Sequence, residues 1–136
     1  MGNSAIITLA SPKVDSLQTF IGEFNRDVSA ATASVAYTGV GFEPKAVLFF
    51  ASIVGVVGQT SWGFDDLTNT RVLVDNASNT VDTYNQNATR SIQIAITGGG
   101  VHTGTISVFG ADGFTIDWIK SGSPTGTATI YYMAIG

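Results

Sequence analysis

With 136 residues, the chain has the length of one domain, enough to bury most of a core without staples. It has no cysteine, which excludes disulfide frameworks, thiolate nucleophiles and cysteine-ligated zinc, so the fold must rest on packing alone. The net charge of −4 comes from only 12% charged residues, and the six scattered Lys and Arg form no basic stripe for phosphates, which excludes nucleic acid as a partner.

Residues 1–30 read as an N-terminal arm, or as a first strand or helix, of the same single unit whose β-sandwich occupies 31–136. After Met1 the polar Gly2, Asn3 and Ser4 give no basic region and no sustained apolar core of a secretory signal, so cytoplasmic synthesis is expected. Ala5–Leu9 is the first strand candidate. Over Val14–Asp27, Leu17, Phe20, Ile21 and Phe24 fall at i, i+3, i+4 and i+7 behind Asp15 or Ser16 as cap, the pattern of a short helix. Gly22 weakens that helix, and extended structure competes for the same segment.

Beyond residue 30, Gly and short polar clusters recur every eight to twelve residues, the spacing of an all-β antiparallel sandwich, jelly-roll-like or similar, with eight to nine strands. The strands are expected at Ala33–Tyr37, Lys45–Ile53, Thr60–Phe64, Arg71–Asp75, Ser91–Thr97, Thr103–Phe109, Phe114–Lys120 and Ala128–Ile135. The third of the nine candidates lies in GVGFEPKAVLFFASIVGVV, Gly39–Val57, which is greasy on both faces. Val47, Phe49, Ala51 and Ile53 share one face, and Ala46, Leu48, Phe50 and Ser52 the other. Its longest apolar run, about a dozen residues, is too short to span a bilayer, so no membrane insertion is expected. Residues 65–90 have loop composition apart from Arg71–Val74, Val81 and Tyr84. The Ala111-Asp112-Gly113 turn makes a tight hairpin, and the last three strands read as a meander.

Few residues suggest chemistry. His102, the only histidine, lies beside a glycine turn and reads as a solvated loop residue, which leaves a nucleophilic triad without a base. Asp65 and Asp66 are adjacent and more naturally cap backbone donors than act as a glycosidase pair. Asp75, Asn76, Asn79, Asp82 and Asn85 lack the spacing of an EF-hand and read as an ordinary Asn-rich loop. The Thr97–Val101 glycines lack the Gly-Lys-Ser/Thr of a phosphate loop and read as a strand-connecting turn. No enzyme, metal or cofactor is expected. A sugar would need an aromatic face with polar groups beside it, which Trp62, Asp65, Asp66 and Tyr84 offer, although core packing is the simpler role for Trp62 and Trp118.

Two stretches, TGVGFEPKAVLFF and DGFTIDWIKSGSPTGTATIYYMAIG, together resemble small β-sandwich proteins of tailed bacteriophages that serve as capsid decoration (cement) or tail modules. The resemblance implies a non-enzymatic virion protein, made in the host cytoplasm, that forms a homo-oligomer, dimer or trimer, and binds a phage capsid or tail protein. The same segments are similar to the H-type lectin fold, with Pro44, Lys45, Val47, Gly113, Phe114, Thr115 and Ile116 at comparable places. Ala134-Ile135-Gly136 closes the chain, and Tyr132 stands where such lectins often have Trp. That similarity implies the alternative, an adhesin or tail receptor-binding module for a host-surface glycan. An apolar strand face left in water would forgo about 1.5–3 kcal/mol per large side chain, so an oligomer contact is expected at Val54, Val56 and Val57, with Ile6, Ile7 and Leu9 of the arm adding to it.

Overall fold

Alternating apolar and polar side chains become ten antiparallel strands in the computed structural model, which describes residues 16–54, 60–75, 84–96 and 99–136. They are β1 (Thr19–Asp27), β2 (Ala33–Thr38), β3 (Ala46–Ser52), β4 (Thr60–Asp65), β5 (Thr70–Asp75), β6 (Tyr84–Asn87), β7 (Ile92–Ile96), β8 (Gly100–Gly110), β9 (Gly113–Gly122) and β10 (Thr127–Ile135). Six form one sheet in the order β1-β10-β3-β4-β5-β6, and four form a second in the order β2-β9-β8-β7. The fold is an all-β sandwich, with no helix among the described residues.

The core lies between the inner faces. Val47, Phe49 and Ala51 of β3 and Ala128, Ile130, Tyr132 and Ala134 of β10 face Ile92 and Ile94 of β7, Ile106 of β8 and Phe114, Ile116 and Trp118 of β9. Phe114 meets Phe49 and Tyr132 edge-on, with ring centroids 5.7 and 5.0 Å apart. Trp118 is fully buried, in its expected role, and donates its indole N–H to the Tyr37 hydroxyl at 3.1 Å.

The segment with helical spacing is instead strand β1. Phe20, Phe24 and Arg26 turn inward while Ile21, Glu23 and Asn25 turn out. Gly22 decides the matter: a Cβ there would lie 2.6 Å from the Tyr132 ring, so the glycine lets β10 pack its aromatic over β1. A favourable i, i+3, i+4 pattern loses here to the nine-residue antiparallel ladder with β10.

Two further expectations are corrected. The last three strands are not a meander, because β9 pairs with β8 and β2 while β10 lies in the other sheet between β1 and β3. The connection leaves its layer through Gly122 and Gly126, whose φ of +71° and +112° favour glycine. Residues 65–90 are also more than a loop, since β4, β5 and β6 continue the six-stranded sheet by antiparallel pairing. The expected strand Ala5–Leu9, with Ile6, Ile7 and Leu9, lies outside the described residues, as do Val56, Val57 and most of the Asn-rich loop.

The lead-in to β3 is a built turn. Asp112 of the β8–β9 hairpin accepts from the Gly41 and Gly39 amides at 2.6 and 3.1 Å, and both glycines have positive φ. β3 is then central, with Val47, Phe49 and Ala51 buried and Leu48 and Phe50 exposed on the far side, as the alternation predicts.

The sheets are closed differently at their two margins. At one, Phe24 of β1 stacks on Tyr37 of β2 at 3.9 Å. At the other, β4 and β7 approach so closely that a Cβ on Gly63 would collide with the Ser91 carbonyl. There the buried Asp65 carboxylate accepts from the Leu67 amide at 2.8 Å, the Ile106 amide at 3.2 Å and the Ser91 hydroxyl. It therefore ties β4 to both β7 and β8 as well as capping its own turn. Asp65→Ala should leave buried donors unpaired and lower unfolding free energy by about 3 kcal/mol in urea titration, and Asp66→Ala by clearly less.

Candidate functional site

The two outer faces of the sandwich differ in chemistry. On the four-stranded sheet, Ser34, Thr105, Ser107, Thr115 and Asp117 point outward, and Ser107 donates to Asp117 at 3.0 Å. That face is mostly polar, with Val108 and Ile119 as separate exposed apolar side chains. On the six-stranded sheet, strand register aligns two rows of large apolar side chains. One runs Ile21, Met133, Leu48, Phe64 and ends at Arg71 on β5; the other runs from Glu23 on β1 through Tyr131, Phe50, Trp62 and Leu73.

Exposure along these rows is high. Ile21 is 72% exposed, Trp62 58% and Tyr131 47%, with Leu48, Phe50, Leu73 and Met133 also open. Phe50 and Trp62 lie with ring centroids 6.0 Å apart, and Ile21, Leu48, Phe50, Tyr131 and Met133 border a shallow hollow of about 250 Å³. Polar residues close the patch on one side, where Asn25, Thr129, Ser52, Thr60 and Asp75 form the next row.

These positions revise the sugar-site expectation. Trp62 is not a core residue, because β4 turns Ser61, Gly63 and Asp65 inward and Trp62 outward. Asp65 points to the opposite face and is fully buried, so it cannot join Trp62. Asp66 is half-buried and caps its own turn, accepting from Thr68 at 2.9 Å and from Asn69, whose side-chain and backbone bonds hold its carboxyl below the usual range. Tyr84 pairs with Asp75 in the β5–β6 ladder, and its side chain lies outside the described residues. The structure brings Trp62 together with residues that the sequence did not single out: Thr60, Leu73 and Asp75 line a cleft of about 220 Å³ beside it. Among the described residues, Asp75 Oδ1 is shielded and has no hydrogen-bond partner. The signal that would have found the cleft is the period-two alternation that places Thr60, Trp62, Leu73 and Asp75 on one face.

Val54, at the end of β3, is 88% exposed but projects beyond the two apolar rows. Among the described residues, the exposed apolar patch lies on the outward positions of β1, β10, β3, β4 and β5.

His102 is no solvated loop residue. It sits on β8, fully buried, 5.2 Å from the Trp118 ring, and its Nε2 accepts from Arg26 Nε at 3.1 Å. The accepting Nε2 places the imidazole proton on Nδ1, which is buried near the Val28 main chain without a hydrogen bond of normal geometry. Arg26 also lies over the Trp118 ring, 5.0 Å from its centroid, and donates to the Ala31 carbonyl. The group joins β1 to the opposite sheet and leaves Nε2 occupied, so the ring is not set up as a base. Among the described residues, no three His, Asp or Glu side chains gather to hold a metal ion. No family model, curated protein or solved structure matches the chain.

Burial first, then the Arg26 charge and more weakly Lys120, lower His102 from the usual 6.5 to about 4, against opposing contributions from the Val28 main chain and Asp27. Between those values the unfolded chain binds a proton that the folded chain refuses. Stability is therefore full above pH 6.5 and falls as pH drops toward 4, by about 2–3 kcal/mol. Urea midpoints across this window should decline for the native chain, and His102→Gln should flatten the decline.

Proposed function

We propose that this protein is a non-enzymatic structural module that associates through the outer face of its six-stranded sheet. The observation that carries the reading is the pair of in-register apolar rows on that face, whereas the outer face of the other sheet is mostly polar and exposes Val108 and Ile119 only singly. Contiguous exposed apolar patches mark interaction sites, whereas singly scattered residues do not. The bacteriophage resemblance supports placing such a module in a virion, as a capsid decoration protein that self-associates and binds the particle surface, or as a tail component. Light scattering after size exclusion should give an oligomer, and Trp62→Asp or Phe50→Asp should dissociate it while retaining the sheet signature in circular dichroism. A strictly monomeric native chain at all accessible concentrations would overturn the reading. A gene position beside capsid or tail genes would support the virion assignment, and a position among unrelated metabolic genes would count against it.

One observation favours a second reading, glycan binding. Trp62 offers an aromatic face beside Leu73, Thr60 and the Asp75 side chain, a combination suited to one sugar ring. Trp118 is buried, so a ligand-induced change in tryptophan emission should arise from Trp62 and vanish in Trp62→Phe. Silence across host polysaccharides would overturn it.

A further inference from the structure

We infer that the outer face of the six-stranded sheet pairs with a second copy of itself about a two-fold axis running along β3, so that β1 of each copy covers β5 of the other. This rests on the assembly reading above and adds the partner and its orientation. The area is adequate: the exposed fractions of Ile21, Leu48, Phe50, Trp62, Leu73, Tyr131 and Met133 amount to roughly 700 Å² per copy, against about 800 Å² per partner in a standard interface. Two sheets packed face to face stand about 10 Å apart, near the separation within a sandwich.

Charge decides the orientation. The apolar rows span β1, β10, β3, β4 and β5, so β3 is their middle strand. Glu23 on β1 ends one row and Arg71 on β5 ends the adjacent row. Both are exposed. Rotation about an axis along β3 sets each Glu23 over the other copy's Leu73, one row (about 7 Å) from its Arg71 and within reach of the two long side chains. Rotation about an in-plane axis across the strands would instead set Glu23 near Glu23 and Arg71 near Arg71, and like charges disfavour it.

The polar row agrees. Asn25 on β1 and Asp75 on β5 occupy the same register row, so the axis along β3 sets each Asn25 opposite the other copy's Asp75. Asn25 uses its carbonyl to accept from Thr129 at 3.0 Å, which leaves its amide N–H groups as donors. They are the complement of the Asp75 carboxylate, which borders the cleft beside Trp62.

Analytical ultracentrifugation of the native chain, Glu23→Arg, Arg71→Glu and the double swap tests this. The native chain should be a dimer, each single swap should weaken it at least tenfold, and the double swap should restore it. A native dimer that Trp62→Asp dissociates but single swaps leave unchanged would overturn the orientation and leave the assembly reading standing. A trimer, or a double swap no better than the singles, would also overturn it. A native monomer would overturn both, and a monomer that binds a polysaccharide through Trp62 would assign the face to glycan.

Discussion

The edge-on packing of Phe114 against Phe49 and Tyr132, continued by Ile116 and Trp118 against Ile130 and its neighbours, holds two sheets face to face. A pleated strand has two faces, and a two-layer sandwich covers only one of them. The remaining face of each sheet must be soluble or must be covered by something else. The four-stranded sheet meets this constraint largely with Ser, Thr and Asp, leaving Val108 and Ile119 exposed singly. The six-stranded sheet does not, and its role in assembly is inferred from that inequality.

The buried polar groups belong to the architecture. Asp65 receives three donors where β4, β7 and β8 converge, so the narrow margin of the sandwich is closed by hydrogen bonds rather than side-chain volume. His102, Arg26 and Trp118 form a layered cluster near the opposite margin, where β1 reaches across to the second sheet. Both arrangements were open to a catalytic reading from residue type alone. Their partners give them to folding: Asp65 is saturated by main-chain and Ser91 donors, and His102 presents its accepting nitrogen to a guanidinium.

Legibility followed the strength of local alternation. Phe114-Thr115-Ile116 announces its buried face, with Phe114 and Ile116 buried, whereas on β7 Gln93 is buried along with Ile92 and Ile94. Leu48 and Phe50 were readable as a second apolar face on β3. β1 was misread because Phe20, Ile21 and Phe24 satisfy a helical period as well as the strand; the distant Tyr132 ring resolves the ambiguity through Gly22. The β9–β10 crossover was hidden because a glycine-rich loop can return a strand to its own sheet or carry it to the other. Trp62 was assigned to the core on residue type, whereas its parity with Ser61, Gly63 and Asp65 puts it outside.

By itself the sequence determined an all-β sandwich, the positions of most strands and which side chains alternate along each, because period two is a local property of the backbone. It also restricted the chemistry: without cysteine and with one histidine, few catalytic constellations can be assembled. Only the tertiary structure decided which strands are neighbours, and so whether apolar residues far apart in sequence lie in one row. Ile21, Phe50, Trp62, Leu73, Tyr131 and Met133 come from five strands, and no local pattern links them. Non-local ladder register turns five individually ordinary exposed residue pairs and singles into a continuous face, and that is the physical reason the surface was invisible in the chain.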